Sequence, residues 1–371
     1  MFKKSSRIAL EVSFGLLLGM FAVANAFAAQ PTRLVATTEP VAARSVFDRS
    51  EPLAIRFTLA NESDHDVQVL RWHTPLDGFT ADIFDVRLDG EPVAYTGRLV
   101  KRVAPTPGDY VTIEAGGSVS AVFDPSQGYD MSRSGRYTIR YRGEFIETSS
   151  THWIGPVRIR SEASGDGEVV VDAREASFGV EGEGTVERPE TEPELGTMSL
   201  PPAYSGCTNQ QRSALSTALG NAENMSIESR SYLTNLPASQ RPSDARYREW
   251  FGSYDAGRYG TVNGDFVAIA DAFSNKTVTF FCDCTDSSYA YVYPTRPYEI
   301  HLCNAFWTAP ALGTDSKAGT LVHEMSHFDV VANTNDYAYG QAACRKLATK
   351  SPKKAIHNAD SHEYFAEAGL H

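Results

Sequence analysis

The chain has 371 residues, of which 22% are charged and 42% hydrophobic, and its formal net charge is −12. This length exceeds one ordinary globular core and predicts a multidomain protein. The acidic balance argues against a nucleic-acid-binding protein, which would carry a basic face, and favours a soluble protein that attracts basic partners. No pattern in the chain indicates oligomerisation, so a monomer is the default expectation.

Residues 1–28 have the pattern of a secretory signal peptide. A basic start, "MFKKSSR", precedes the apolar run "FGLLLGMFAVA" and the small residues of "ANAFAA", with cleavage expected after Ala26 or nearby. An uncleaved membrane anchor is the alternative, but the short apolar run and the small-residue boundary argue against it. No later segment is apolar for long enough to span a bilayer. We therefore expect a secreted, extracellular protein with no membrane partner.

Residues 29–172 consist of short runs with strand-like alternation, such as "LAIRFTLANES", "FDVRLDGEPV" and "GRYTIRYRGEF", separated by Gly, Pro, Asn and Asp. This spacing predicts an all-β, antiparallel, immunoglobulin-like sandwich. Residues 173–202 are rich in Glu, Gly and Pro and have no packable apolar pattern. They are predicted to form an acidic, flexible linker.

From residue 203 to residue 371 the pattern changes to helices around a few strands. "TNQQRSALSTALGNAENMSIESRSYLTNL" is typical of a helix with Thr208 as its N-cap. "KTVTFFC", "YAYVYP" and "YEIHLC" are strand-like, and the last sixty residues are again helical. Helices flanking a small sheet predict an α+β domain.

The five cysteines all lie in this second half. Because export leads to an oxidising compartment, we expect disulfides. Cys282 and Cys284 are one residue apart and would point the same way in a strand, so each is expected to pair elsewhere. A metal site is the alternative for this "CDC" segment. One cysteine must remain, and Cys344 in the helix-like "YGQAACRKLA" is expected to be a buried free thiol.

The strongest chemical signal is "HEMSH", which contains His323, Glu324 and His327. On a helix the two histidines share one face and could bind one cation, with the glutamate placed to activate water. A structural helix with two hydrogen-bonded histidines is the alternative. The surrounding "GTDSKAGTLVHEMSHF" predicts one buried helix capped by Thr314 or Asp315. A catalytic zinc site usually takes three protein ligands, so a third residue is needed.

Asp336 stands nine positions after His327, beyond the turn-forming "ANTN", and Tyr339 and Gly340 follow it. This arrangement resembles the aspzincin family of deuterolysin-like metallopeptidases, whose pattern is H-E-x-x-H followed by G-T-x-D-x-x-Y-G. The chain departs from that pattern at Asn333, which replaces the first glycine. Asparagine tolerates left-handed backbone angles nearly as well as glycine, so the departure is minor.

Further segments, among them "YSGC", "WFGSY", "AYVYP", "AFWTAP" and "NADSHEYFAE", resemble the peptidyl-Lys metalloendopeptidase branch of this family. The β-rich half is loosely similar to the propeptide of secreted bacterial members. The resemblance implies one Zn²⁺ per catalytic domain, a zincin fold and a precursor form. It also implies two disulfides, Cys207–Cys282 and Cys284–Cys303.

Carried over by position, the resemblance makes His323, His327 and Asp336 the zinc ligands. Glu324 would be the general base that takes a proton from water and delivers it to the leaving amine. Tyr339 would donate a hydrogen bond on the oxyanion side, with a core aromatic as the structural alternative.

Asp360 and Glu363 lie three residues apart on a predicted helix and so face the same way. Two neighbouring carboxylates repel each other, so a site that holds both attracts a cation. A solvated acidic helix face is the alternative. In the peptidyl-Lys branch, matching acidic residues form the pocket that accepts a lysine side chain. The resemblance therefore implies cleavage on the amino side of lysine in protein or peptide substrates.

Residues 31–202 contain sixteen arginines and a single lysine, Lys101. An enzyme that cuts before lysine endangers its own propeptide, although drift in composition would give the same count. We hypothesise that Lys101 inserts into the pocket of Asp360 and Glu363, so that the propeptide acts as an intramolecular inhibitor. An ordinary exposed lysine is the alternative. The linker contains no lysine, so another protease is expected to release the mature domain.

The leading hypothesis is thus a secreted zinc endopeptidase made as an inactive precursor. One alternative is an aspzincin protease with a broader preference for basic residues. Another is a binding or adhesion protein in which the protease domain is vestigial. The complete set of predicted ligands, base and tyrosine argues against a vestigial domain.

Overall fold

The computed structural model describes residues 32–48, 51, 53–143, 158–159, 169–181 and 201–369. The predicted signal peptide lies outside the described residues. Among the described residues, no helix combines the length and the apolar character that crossing a membrane requires.

The N-terminal half is β-rich, as predicted. Its strands are β1 Thr32–Pro40, β2 Val46–Asp48, β3 Ile55–Asn61, β4 Val67–Leu70, β5 Phe84–Leu88, β6 Glu91–Pro92, β7 Leu99–Lys101, β8 Tyr110–Ile113, β9 Ser118–Phe123, β10 Gly135–Tyr141, β11 Arg158–Ile159, β12 Val169–Arg174 and β13 Ala176–Glu181. Two five-stranded sheets are ordered β11-β12-β1-β3-β9 and β2-β13-β10-β5-β6. Alternate residues such as Phe57 in β3 and Tyr137 in β10 are buried in one core shared by the sheets.

Strand pairing in this half is mixed, which corrects the prediction of a purely antiparallel sandwich. β12 runs parallel to β1 and to β11, and β2 runs parallel to β13. Strands joined by a tight turn must be antiparallel, whereas strands far apart in sequence can pair in either direction. The alternation of the sequence predicts the strands but carries no information on these distant pairings. The immunoglobulin-like topology stays a prediction.

The boundary predicted at residue 172 is too early. β12 and β13 continue to Glu181, and β13 pairs with β10 inside the second sheet. Phe178 and Val180 are buried in β13. The Glu and Gly residues around them obscured this alternation in the sequence. The rest of the predicted linker, apart from its last two residues, lies outside the described residues.

The C-terminal half is α+β, as predicted. Its strands are β14 Ala203–Ser205, β15 Thr279–Phe281, β16 Ala290–Val292 and β17 Glu299–Leu302. Its helices are α1 Asn209–Asn235, α2 Ala245–Phe251, α3 Ala256–Asn275, α4 Asn304–Thr308, α5 Lys317–His327, α6 Gln341–Lys350, α7 Pro352–Ala355 and α8 Ala359–Glu367. Thr208 caps α1 in a capping box with Gln211, as its sequence pattern indicates. A second hydrophobic core, separate from that of the N-terminal half, joins these helices to the sheet.

One strand of the N-terminal half belongs to the C-terminal sheet. That sheet has the order β14-β15-β17-β16-β7, so β7 forms its edge. β7 pairs antiparallel with β16, with Lys101 opposite Ala290 and Leu99 opposite Val292. The N-terminal half therefore contacts the C-terminal half through backbone pairing as well as side chains.

Candidate active site

Helix α5 carries the HEMSH segment through the middle of the C-terminal core. Its N-cap is Ser316, whose hydroxyl accepts a hydrogen bond from the Gly319 N–H at 2.9 Å. Neither Thr314 nor Asp315 is the cap, which corrects the prediction. Asp315 has a φ of 52°, so it lies in the left-handed turn before the helix. All residues from 318 to 327 are buried, as expected for a helix that forms part of the core.

The side chains of His323, His327 and Asp336 converge at one buried point. The Nε2 atoms of the two histidines are 3.1 Å apart, and the Asp336 Oδ1 lies 3.2 Å and 3.5 Å from them. Tetrahedral ligands with zinc bonds of about 2.0–2.1 Å would lie about 3.3 Å from one another. Two imidazoles and one carboxylate are also a donor set that zinc prefers. The residues present therefore fit a zinc ion.

The second nitrogen of each ring lies within 3.0 Å of an oxygen atom. His323 Nδ1 lies 2.8 Å from Asp360 Oδ1, and His327 Nδ1 lies 3.0 Å from the Thr334 carbonyl oxygen. Such partners hold the ring and leave Nε2 directed at the common point.

The loop that supplies Asp336 is held by α8. The Asn358 side-chain oxygen at the start of α8 accepts hydrogen bonds from the N–H groups of Tyr337 and Ala338, each at 2.9 Å. Asn333 has a φ of 48°, the left-handed conformation expected where the family pattern has glycine. Asn358 is a positioning residue that the sequence analysis missed. It is a single buried amide far along the chain, so no motif signals it.

Glu324 is fully buried beside the histidines. Its carboxylate oxygens accept no hydrogen bond from the described residues. Burial raises the pKa of this carboxyl to about 8. A carboxyl with a pKa near neutrality can both take up and release a proton, as a general base and acid requires.

The hydroxyl of Tyr339 donates a hydrogen bond to the Val100 carbonyl oxygen at 3.0 Å. Its ring packs edge-on against Trp72 and lies parallel to the ring of His73. Burial raises the pKa of the Tyr339 hydroxyl well above its ordinary value. The group therefore stays protonated and can act as a hydrogen-bond donor to a carbonyl.

Beside the histidines, Asp360 and Glu363 form a buried acidic pocket that holds the side chain of Lys101. The Lys101 Nζ lies 2.5 Å from Glu363 Oε2 and 3.4 Å from Asp360 Oδ1. Asp315 lies at 3.7 Å, and the Tyr289 ring centroid at 5.1 Å. Burial lowers the pKa of the Lys101 ammonium, but the three carboxylates outweigh it and raise that pKa well above its ordinary value. The pocket thus holds a charged lysine out of contact with solvent.

Comparison with known proteins places the chain in a family. The model of the aspzincin family, described as lysine-specific metallo-endopeptidase, matches residues 237–367. An "Extracellular protease" of Aeromonas hydrophila is 42% identical over 320 residues, which cover 86% of this chain and 88% of that protein. The chain belongs to the aspzincin family.

A relative and a solved structure, both from Grifola frondosa, extend the comparison. A "Peptidyl-Lys metalloendopeptidase" of Grifola frondosa is 36% identical over 366 residues, 95% of this chain and 97% of the relative. A solved structure titled "Zinc peptidase from Grifola frondosa" is 47% identical and covers 43% of this chain and 96% of its own, with a TM-score of 0.41. The family predicted from the HEMSH segment and the loop after it is confirmed. This aspzincin is accordingly a zinc metalloendopeptidase, and the alternative of a vestigial protease domain is not favoured.

The cysteines pair as the family resemblance implies. The structure joins Cys207 to Cys282 and Cys284 to Cys303. Cys344 is a buried free thiol on α6, near the carbonyl of Ala338. The "CDC" segment is therefore a pair of disulfide anchors at the end of β15.

Two groups around the lysine pocket were not predicted as part of it. The sequence predicts Asp315 as a possible helix cap, and Tyr289 is one of several tyrosines in a strand-like segment. Both lie close to the ammonium because the turn before α5 and the residue just before β16 meet there. A candidate cap residue and a tyrosine-rich segment can be recognised in the sequence, but neither feature indicates which distant group its side chain faces.

Proposed function

We propose that this aspzincin is a secreted zinc endopeptidase, made as an inactive precursor, that hydrolyses peptide bonds on the amino side of lysine. The observation that carries the proposal is the Lys101 ammonium held between Asp360 and Glu363. His323 contacts both carboxylates, so the lysine pocket adjoins the predicted zinc ligands. A side chain bound in this pocket lies next to the bond that would be cut.

Each residue of the centre has a separate task in the proposed mechanism. His323, His327 and Asp336 would hold one Zn²⁺, which when bound lowers the pKa of water and polarises a carbonyl. Glu324 takes a proton from the attacking water and passes it to the leaving amine. The Tyr339 hydroxyl donates a hydrogen bond to the oxygen that becomes negative.

Lysine selectivity follows from charge and shape. Asp360 and Glu363 are at most 1% exposed, and a buried pair of carboxylates without a cation is strongly destabilising. A lysine ammonium is a compact charge with three donors, whereas the guanidinium of arginine is a wide planar fork. A pocket of two carboxylates around one point, with Asp315 at its edge, therefore favours lysine.

The proposed precursor has four parts. A signal peptide over residues 1–28 precedes the β-rich propeptide, which begins at residue 29 and extends to residue 181 rather than 172. The linker then reaches residue 202, and the catalytic domain covers residues 203–371.

The test is peptide cleavage by the zinc-loaded domain from about residue 203 onward, mapped by mass spectrometry. Peptides would each contain one lysine, one arginine or neither. We expect cuts only before lysine. Cuts before lysine and arginine alike would favour the broader basic preference, and no cleavage by a folded, zinc-loaded domain would contradict the proposed function.

A double variant tests the pocket itself. Replacing Asp360→Asn together with Glu363→Gln removes both charges at nearly constant volume, so lysine selectivity should be lost. Glu249→Gln is the matched control, because Glu249 is exposed and pairs with Arg345 on the surface. Unchanged selectivity in the double variant would place the lysine pocket elsewhere.

A further inference from the structure

We propose that the Val100–Lys101 peptide bond of β7 occupies the position of a scissile bond, and that the precursor cuts this bond in itself. This inference rests on the proposed function and deepens it, because it names the enzyme's first substrate as a bond within its own chain. Two contacts on opposite sides of the bond define the position, and the backbone pairing of β7 supplies a third observation.

The first contact fixes the residue after the bond. An enzyme that cuts on the amino side of lysine must hold a lysine side chain in its acidic pocket while the preceding peptide bond reacts. Lys101 fills that pocket, and its side chain is fully buried. The bond on the amino side of Lys101 joins it to Val100.

The second contact fixes the carbonyl before the bond. The carbonyl oxygen of Val100 accepts the hydrogen bond of the Tyr339 hydroxyl at 3.0 Å. Val100 supplies the carbonyl of the Val100–Lys101 peptide, which is the group that water would attack. The side-chain contact of one residue and the carbonyl contact of its neighbour thus point to the same peptide bond.

The third observation is the direction and conformation of the strand. β7 is extended and antiparallel to β16, with Val100 opposite Tyr291. The Tyr289 N–H donates to the Lys101 carbonyl oxygen at 3.0 Å, which continues the pairing past the bond. Addition of an extended peptide to a sheet edge is a common way for a protein to recognise a peptide.

Arg98, two residues before Val100, also contacts the catalytic half. Its guanidinium lies over the Tyr291 ring, 5.3 Å from the centroid, and 3.7 Å from Asp286. Both of these partners belong to the catalytic half. The catalytic half therefore contacts the propeptide continuously from Arg98 to Lys101, which is how a bound substrate would be held.

The proposed step is a simple hydrolysis. The oxygen of one water molecule forms a bond to the Val100 carbonyl carbon, and the bond from that carbon to the Lys101 nitrogen breaks. Glu324 takes the proton of the water and delivers it to the departing nitrogen. The products are a carboxylate on Val100 and an ammonium group on Lys101, which has gained both protons of the water, and no oxidant or co-substrate other than water is consumed.

Cutting this bond does not by itself release the propeptide. Leu99 is buried in the core of the β-rich half, so the new carboxyl end stays anchored there. Lys101 stays bound through its ammonium, and Ala104 packs against Gly340 at the start of α6. The cut precursor is therefore expected to remain a closed complex until the linker is cut as well.

The experiment uses the full precursor, freed of metal with a chelator and then loaded with Zn²⁺. Samples taken over time are analysed by intact mass, denaturing electrophoresis and N-terminal sequencing. We expect two fragments, the second beginning "KRVAPT". Because the bond and the catalytic residues lie in one chain, the rate should be first order and unchanged by a 100-fold dilution.

Two variants test whether the chain's own catalytic site cuts the Val100–Lys101 bond. Glu324→Gln precursor, shown to be folded by circular dichroism, should stay intact under the same conditions. A Lys101→Arg precursor keeps the positive charge but presents the wrong shape, and it should be cut at least tenfold more slowly. Equal cutting of the Glu324→Gln form would identify a contaminating protease and overturn the proposal.

The cleavage of lysine peptides by the separate catalytic domain is measured in parallel. If that domain cuts before lysine while the zinc-loaded precursor keeps its Val100–Lys101 bond, the proposed function stands and this inference is overturned. A rate proportional to precursor concentration would also overturn it, because cutting would then be between molecules. If neither protein cuts lysine peptides, the proposed function itself fails.

Discussion

Asp360 connects the two parts of the site. One of its oxygens lies 2.8 Å from His323 Nδ1 and 3.4 Å from the Lys101 ammonium, and the other accepts a hydrogen bond from the Gly340 N–H at 2.7 Å. Burial would raise the pKa of this carboxyl, but Lys101 and His323 lower it below its ordinary value. Asp360 is thus expected to orient a predicted zinc ligand and to bind the substrate lysine.

We predict that Asp360→Asn weakens zinc binding as well as lysine selectivity. Loss of a carboxylate partner of a metal-binding histidine typically lowers metal affinity by about 10–100-fold. Zinc affinity can be measured by competition with a chromogenic chelator. The control is Glu249→Gln, because Glu249 is exposed and pairs with Arg345 on the surface. An unchanged zinc affinity would show that Asp360 serves the lysine pocket alone.

Between elements, the decisive contact is that of α5 with α8. α5 carries the two histidines, and α8 carries Asp360 and Glu363. The helices approach closely at Gly319, where an added Cβ would lie 2.2 Å from Glu367 Oε1 and 3.0 Å from Glu363 Cγ. The same Glu367 carboxylate accepts hydrogen bonds from the backbone and hydroxyl of Ser316. Glycine is therefore needed for the helices to bring their functional groups together.

We predict that Gly319→Ala destabilises the protein by about 1–3 kcal/mol, the usual cost of forcing an extra carbon into a packed interior. The measurement is the thermal unfolding midpoint of the precursor. Gly260→Ala is the matched control, since Gly260 lies in α3 with no atom within 4 Å of an added Cβ. Alanine there should stabilise by about 0.5–1 kcal/mol because it favours the helix. Equal changes in the unfolding midpoint of both variants would contradict the close approach of α5 and α8 at Gly319.

In the whole molecule, two separate hydrophobic cores are joined at β7. β7 belongs to the β-rich half by sequence and to the sheet of the catalytic half by pairing. The ion pairs of Lys101 and the ring contacts of Trp72 and His73 with Tyr339 lie at the same junction. These contacts support the proposal that the β-rich half inhibits the enzyme by covering the predicted catalytic residues.

We predict that Lys101→Ala weakens inhibition of the mature domain by the isolated β-rich half. Breaking a buried ion pair costs about 3–5 kcal/mol, which corresponds to at least about a 100-fold rise in the inhibition constant. Initial rates on a lysine peptide give that constant. Arg44→Ala is the control, because Arg44 is exposed and pairs with Glu51. Equal inhibition by the Lys101→Ala and unaltered forms would exclude Lys101 as the plug.

The sequence by itself predicts features that depend on residues only a few positions apart. The four-residue separation of His323 and His327, the cap at Thr208 and the strand alternation around Phe57 each follow from the period of one element. The family pattern then added Asp336, Tyr339 and the disulfide partners as expectations. In each of these cases the signal lies within a few residues or in a known motif.

Contacts between distant segments could not be predicted in this way. The Lys101 plug was a hypothesis drawn from composition, but neither the pairing of β7 with β16 nor the Tyr339 contact with Val100 has a local signal. The parallel pairing of β1 with β12 and the contact of Asp315 with Lys101 are of the same kind. They depend on how the packed cores bring together residues hundreds of positions apart, and the free energy of that packing is summed over the whole chain rather than stored in any one segment.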